Sequence, residues 1–100
     1  MIVATPEERL AVARKGAALL YAHGARNVCV FGSVARWREQ DERSDVDLAV
    51  EGLLDHLYLQ TLGELMSMFP CPVDLVEMEK ASPLLRENIR RFCILLPREN

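Results

Sequence analysis

Residues 32–47 read GSVARWREQDERSDVD, a Gly-Ser step, a polar stretch and then two aspartates one residue apart. How this stretch joins its neighbours decides the fold. Upstream, NVCVF (27–31) has the apolar content of a short buried strand and runs straight into Gly32-Ser33. Downstream, Asp45 and Asp47 stand among Val46, Leu48, Ala49 and Val50, so 45–50 reads as a second strand, stopped by Gly52. The eleven residues between Ser33 and Asp45 suit a short helix at 34–39 and a polar loop at 40–44. A parallel crossover usually needs a dozen residues or more. It would also leave Gly32-Ser33 and the two aspartates at opposite ends of the sheet. Antiparallel pairing brings the end of the first strand beside the start of the second, and the polar groups converge.

The flanking sequence completes the architecture. A helix is expected from residue 6 to about 23, with Thr5 as N-cap, Pro6 at the first helical position, Glu8 closing a capping box and Gly24 as the stop. Its apolar face reads Leu10, Ala13, Ala17, Leu20, Tyr21 at helical period. A further helix over 55–69 takes Asp55 as its cap and turns Leu57, Tyr58, Leu62, Leu65, Met66 and Phe69 inward. The stretch 72–77 is a third strand, with Val73 and Leu75 on one face and Asp74 and Val76 on the other. After a helical crossover it should lie parallel to the second strand. Ser82-Pro83 caps a last helix that runs to about residue 96. The fold class expected is mixed α+β, a small mixed sheet with helices packed on it, in the order α-β-α-β-α-β-α.

Composition narrows the function classes. One hundred residues, half of them hydrophobic and about a quarter charged, suit one globular domain spanning 1–100. A net charge of −3 argues against direct nucleic-acid binding, which wants a basic surface. Apolar runs are too short to span a bilayer, and Glu7, Glu8 and Arg9 interrupt the N-terminal stretch, so neither a signal peptide nor a membrane anchor is expected. Cys29, Cys71 and Cys93 are odd in number and widely spaced, which fits free thiols in a reducing cytoplasm and not a zinc site.

Alternation along a strand places Asp45 and Asp47 on one face, about 6–7 Å apart. Asp74 should lie beside them at the start of the third strand. Carboxylates held this close repel unless a cation lies between them. Hard oxygen ligands suit magnesium or manganese, which keep waters and take up phosphate oxygens. Three carboxylates around two ions would clamp the attacking and leaving oxygens of an in-line displacement. Gly32 lets backbone approach a ligand closely, and Ser33 opens a helix whose N–H groups can face an anion. The reaction class is transfer at the α-phosphorus of a nucleoside triphosphate.

These residues resemble the DNA polymerase β-like nucleotidyltransferases, in particular the minimal (MNT) group. The resemblance rests on FGSVAR (31–36), SDVDLAV (44–50), PVDLVE (72–77) and the C-terminal SPLLRENIRR, and it covers almost the whole chain. It implies that Gly32 and Ser33 hold the triphosphate and that Asp45 and Asp47 are the metal-binding pair, with Asp74 as third carboxylate. It also implies ATP as substrate and two Mg2+ or Mn2+ ions. Such chains resemble antitoxins encoded beside a HEPN-domain ribonuclease toxin, which some of them silence by moving AMP onto a toxin tyrosine. A non-catalytic antitoxin, or a regulatory subunit that binds nucleotide without turnover, is the alternative. Two departures concern specificity: the spacing from Ser33 to Asp45 is one residue longer than usual, and Trp37 stands where a glycine commonly follows Ala-Arg.

Other residues carry plainer readings. Arg36 could reach a phosphate or stand as a solvated helix residue. Trp37 is packing over the loop or a stacking surface, and Arg38 and Arg43 belong to a solvated loop. His23 suits a helix C-terminus, where a partial positive charge is favourable. Met66, Met68 and Phe69 read as core. Arg86, Arg90 and Arg91 make a solvated basic helix face. Exposed apolar positions on the 55–69 helix or the last helix could support a homodimer.

Overall fold

The computed structural model describes residues 6–31, 46–69 and 72–98. Helix α1 (Pro6–Ala22) leads into strand β1 (Asn27–Phe31). Strand β2 (Val46–Glu51), helix α2 (Asp55–Met68) and strand β3 (Val73–Glu77) follow. A single 3-10 turn at Met78–Lys80 then leads to helix α3 (Pro83–Phe92) and strand β4 (Ile94–Leu96). The sheet runs β3-β2-β1-β4. Strand β1 is antiparallel to both β2 and β4, and β2 is parallel to β3. This is the mixed α+β architecture that the short 32–45 connection demands. The helix expected at 34–39, with Gly32, Ser33, Arg36, Trp37, Arg38, Arg43 and Asp45, lies outside the described residues, as do the Thr5 cap and Cys71.

Two-residue alternation gives the sheet two different faces. One face presents Val28, Val30, Val46, Leu48, Val50, Leu75 and Leu96 to α1 and α2. Together with Leu10, Ala13, Ala17, Leu20, Tyr21, Leu65 and Phe69 they form the main core. All five positions of the expected α1 stripe are buried. On the other face Cys29 and Ala49 meet Met78 and Ile89, beneath the turn and α3.

Local chemistry explains where the elements stop. Helix α1 ends in a Schellman motif: Ala25 N–H donates to Leu20 O at 3.1 Å and Gly24 N–H to Tyr21 O at 3.0 Å. Gly24 supplies the left-handed φ of 100° that this closure needs. Gly16 sits where α1 crosses α2, and a Cβ there would stand 2.9 Å from the Phe69 ring. At α3, Ser82 Oγ accepts from Leu85 N–H at 3.2 Å and Pro83 takes the first helical position, as its sequence directs.

Several expectations are corrected. Leu54, not Asp55, is the N-cap of α2, and it makes no side-chain cap bond. Asp55 instead pairs with Lys80 Nζ at 3.1 Å. Met66 and Met68 are exposed (62% and 43%), while Thr61 takes the buried position between α2 and α1. The last helix stops at Phe92, four residues earlier than expected, because Cys93 turns extended and Ile94–Leu96 pairs with the free edge of β1. Tyr21 fixes that edge: its hydroxyl donates to Leu96 O at 2.6 Å and accepts from Val28 N–H at 3.1 Å. Arg86 is not merely solvated, since its guanidinium donates to Met78 O and Ala81 O and so closes the 3-10 turn. Among the described residues no helix is long and apolar enough to cross a membrane.

Candidate active site

Strands β2 and β3 begin together. Val46 N–H donates to Pro72 O at 2.9 Å, which sets the parallel register from its first rung. In that register Asp47 stands directly beside Asp74, while across the antiparallel ladder it faces Phe31. Residues paired in register share a face, so both carboxylates project from the α3 side of the sheet, at the end where β1 stops and β2 and β3 start. Neighbouring strands are about 4.8 Å apart, which is the backbone separation that this pairing imposes. Asp74 is exposed, whereas Asp47 is half-buried and engaged by its surroundings.

Gly32 follows Phe31, the residue opposite Asp47, and Asp45 immediately precedes Val46. Gly32, Ser33, Arg36 and Asp45 lie outside the described residues, so their side chains add nothing to the geometry. Among the described residues no group of three His, Cys, Asp or Glu side chains is gathered as a metal cage. The described part of the arrangement is the Asp47–Asp74 pair.

That pair suits a hard cation. Two ionised carboxylates side by side on neighbouring strands repel, and like charges directly opposite are destabilising. A divalent ion between them turns the repulsion into coordination, and carboxylate oxygens are the donors that magnesium and manganese take. The field of Asp74 is felt nearby. The Tyr58 phenol is held above its ordinary pKa first by burial, then by the charges of Glu77 and Asp74. Its hydroxyl donates to Leu75 O at 2.7 Å on the outer edge of β3. This satisfies a carbonyl that an edge strand would otherwise present to water.

Sequence reasoning overlooked one charged residue. Arg9, read as part of a charged opening, is 1% exposed and engaged by its surroundings. A buried guanidinium needs acceptors for its donors. Its spacing of four residues from Ala13, on the stripe that continues to Ala17 and Leu20, was the available signal. His23 is structural, as expected from its place at a helix end. Its Nδ1 lies 3.0 Å from Thr61 Oγ1 and its Nε2 3.5 Å from Glu64, tying α1 to α2.

Known proteins share this fold. The family model described as polymerase beta, nucleotidyltransferase matches residues 18–99. A protein of Methanocaldococcus jannaschii, provisionally named a protein adenylyltransferase, is 36% identical over 83 residues, spanning 78% of this chain and 86% of its own. A solved structure described, again provisionally, as a minimal nucleotidyltransferase superposes with a TM-score of 0.76 at 33% identity, covering 90% of this chain and 94% of that one. The complex of a tri-AMPylated Shewanella oneidensis HEPN toxin with an MNT antitoxin matches with a TM-score of 0.69 at 22% identity. It covers 91% of this chain and 73% of that one, a likeness of fold.

Proposed function

The chain belongs to the polymerase beta nucleotidyltransferase family, and from that premise we propose that it transfers AMP from ATP to a hydroxyl on a partner protein. The single observation that carries this reading is the side-by-side placement of Asp47 and Asp74 at the sheet end where the Gly32-Ser33 connection begins. The names of the relatives support the donor and the acceptor class. One is called a protein adenylyltransferase, and another is an MNT antitoxin bound to an AMPylated HEPN toxin.

In this reading Asp45, Asp47 and Asp74 hold one or two magnesium or manganese ions. When bound, such ions draw charge from the triphosphate and favour attack at its α-phosphorus. The backbone at Gly32 and the Ser33 hydroxyl hold the triphosphate, with Arg36 reaching a phosphate oxygen. The acceptor oxygen forms the new bond to the α-phosphorus, the bond to the β-phosphate bridge breaks, and pyrophosphate leaves. Asp74, the more exposed carboxylate, receives the acceptor proton. Half-buried Asp47 keeps its place through the ladder on both sides, so it orients the donor while Asp74 meets the incoming hydroxyl. The partner is a HEPN-domain protein encoded by a neighbouring gene, and the chain acts as its antitoxin. The free thiols at Cys29 and Cys93 fit work in the cytoplasm.

A second reading, silencing by binding alone, is favoured by Leu84 and Leu95, which stand 79% and 59% exposed on α3 and β4. Intact mass of the partner separates the two. Co-expressed with the wild-type chain, the partner should gain the mass of one or more AMP groups, and with Asp47→Asn it should gain none. A partner silenced with unchanged mass in both cases would leave binding alone.

A further inference from the structure

Beneath α3, on the same sheet face as the carboxylates but one row further in, lies a feature that nucleotide transfer does not use. Cys29 is opposite Leu95 in the β1–β4 ladder, and Cys93 precedes Leu95 by two residues. The two cysteines therefore project from one face on a diagonal of neighbouring strands. Cys93 packs against the small cluster that holds Cys29. Both line a cavity of about 130 Å³ together with Ala49, Met78, Ile89 and Arg90. Both are reduced, Cys29 buried and Cys93 half-buried.

We propose that Cys29 and Cys93 are a modification site: a dithiol that a hydroperoxide converts to an intramolecular disulfide and a thiol reductant restores. Two observations carry it independently of any nucleotide chemistry, the shared face that follows from the strand register and the one cluster and cavity in which both cysteines pack. Cys93 is the thiol that solvent reaches, so it reacts first. Burial, then the neighbouring Cys93 thiol, pushes the Cys29 thiol up to about 12, and Cys29 waits as the resolving group. In the first step the Cys93 sulfur takes one oxygen from the hydroperoxide, giving a sulfenic acid and releasing water or an alcohol. In the second step the Cys29 sulfur bonds to the Cys93 sulfur, the S–O bond breaks, and the Cys29 proton leaves with that oxygen as water. Two thiols are oxidised and one peroxide is reduced. The bridge joins the end of α3 to β1 two residues before Phe31, the residue that faces Asp47.

Hydrogen peroxide added to the reduced full-length chain, followed by alkylation, trypsin and mass spectrometry, tests this. The three cysteines fall on separate tryptic peptides, 27–36, 44–80 and 92–98. The expected product is the monomer lighter by two hydrogen atoms, with 27–36 joined to 92–98, reversed by dithiothreitol and unchanged in Cys71→Ser. In Cys93→Ser, which alters the half-buried partner, the bridge should vanish and Cys29 should be alkylated in denaturant. Recovery of both thiols unmodified, gain of oxygen mass without the 27–36 to 92–98 link, or links made only through Cys71 would each overturn the proposal.

Discussion

Asp47 and Asp74 illustrate how a residue can cost stability in order to act. Set side by side in register, their like charges oppose one another. Asp74→Asn should therefore leave the metal-free protein as stable or about 0.2–1 kcal/mol more stable, an effect that shrinks with salt. The same change should cost transfer about a thousandfold or more, near 4 kcal/mol of transition-state stabilisation. Urea unfolding in EDTA alongside a transfer assay reads both, and a fall in stability together with activity would mean that Asp74 is structural. Tyr21 is the opposite case, a residue whose polar atom serves the fold. Tyr21→Phe leaves Val28 N–H and Leu96 O without their partner, at about 1–3 kcal/mol for each group left unsatisfied. Denaturant midpoints should fall accordingly, with the pairing of β4 weakened first.

At the scale of elements, chemistry that acts within a few residues was legible in the sequence. Helix α1 announced itself through its five-position stripe and Gly24, and α3 through Ser82-Pro83. Strand β1 runs over 27–31 as its apolar run indicated. The misses share a cause, since each was decided by a partner distant in sequence. Ile94–Leu96 is too short to signal a strand, and it becomes one because β1 has an open edge and Tyr21 holds it there. Met66 continued an apolar count along α2, but the helix leaves it exposed and buries Thr61 beside the expected Leu65. Ser82→Ala should cost about 1 kcal/mol through the lost cap. Gly16→Ala tests the helix crossing, because its Cβ would meet the buried Phe69 ring and Leu65. Overpacking of this kind costs about 1–3 kcal/mol and outweighs the roughly 1 kcal/mol that alanine gains over glycine in a helix. A thermal midpoint that rises in Gly16→Ala would show that α2 can move away.

For the whole molecule, the short 32–45 connection and the helical crossover after β2 fixed the strand order of β1, β2 and β3, and with it the meeting of distant aspartates. Register was legible because a slip by one residue would turn Asp47 into the core and Leu48 out of it. Metal binding should be linked to stability through the same pair. Magnesium at ten times its dissociation constant should add about 1.4 kcal/mol to the wild-type chain and little to Asp47→Asn, measured by thermal unfolding with and without EDTA. The most direct measurement follows label from ATP carrying radioactive α-phosphate, in magnesium, with and without the protein encoded by the neighbouring gene. Label on the partner that is lost in Asp45→Asn and Asp47→Asn is the expected result. A partner silenced in a tight complex yet unlabelled, with wild-type and variant chains alike, would contradict it.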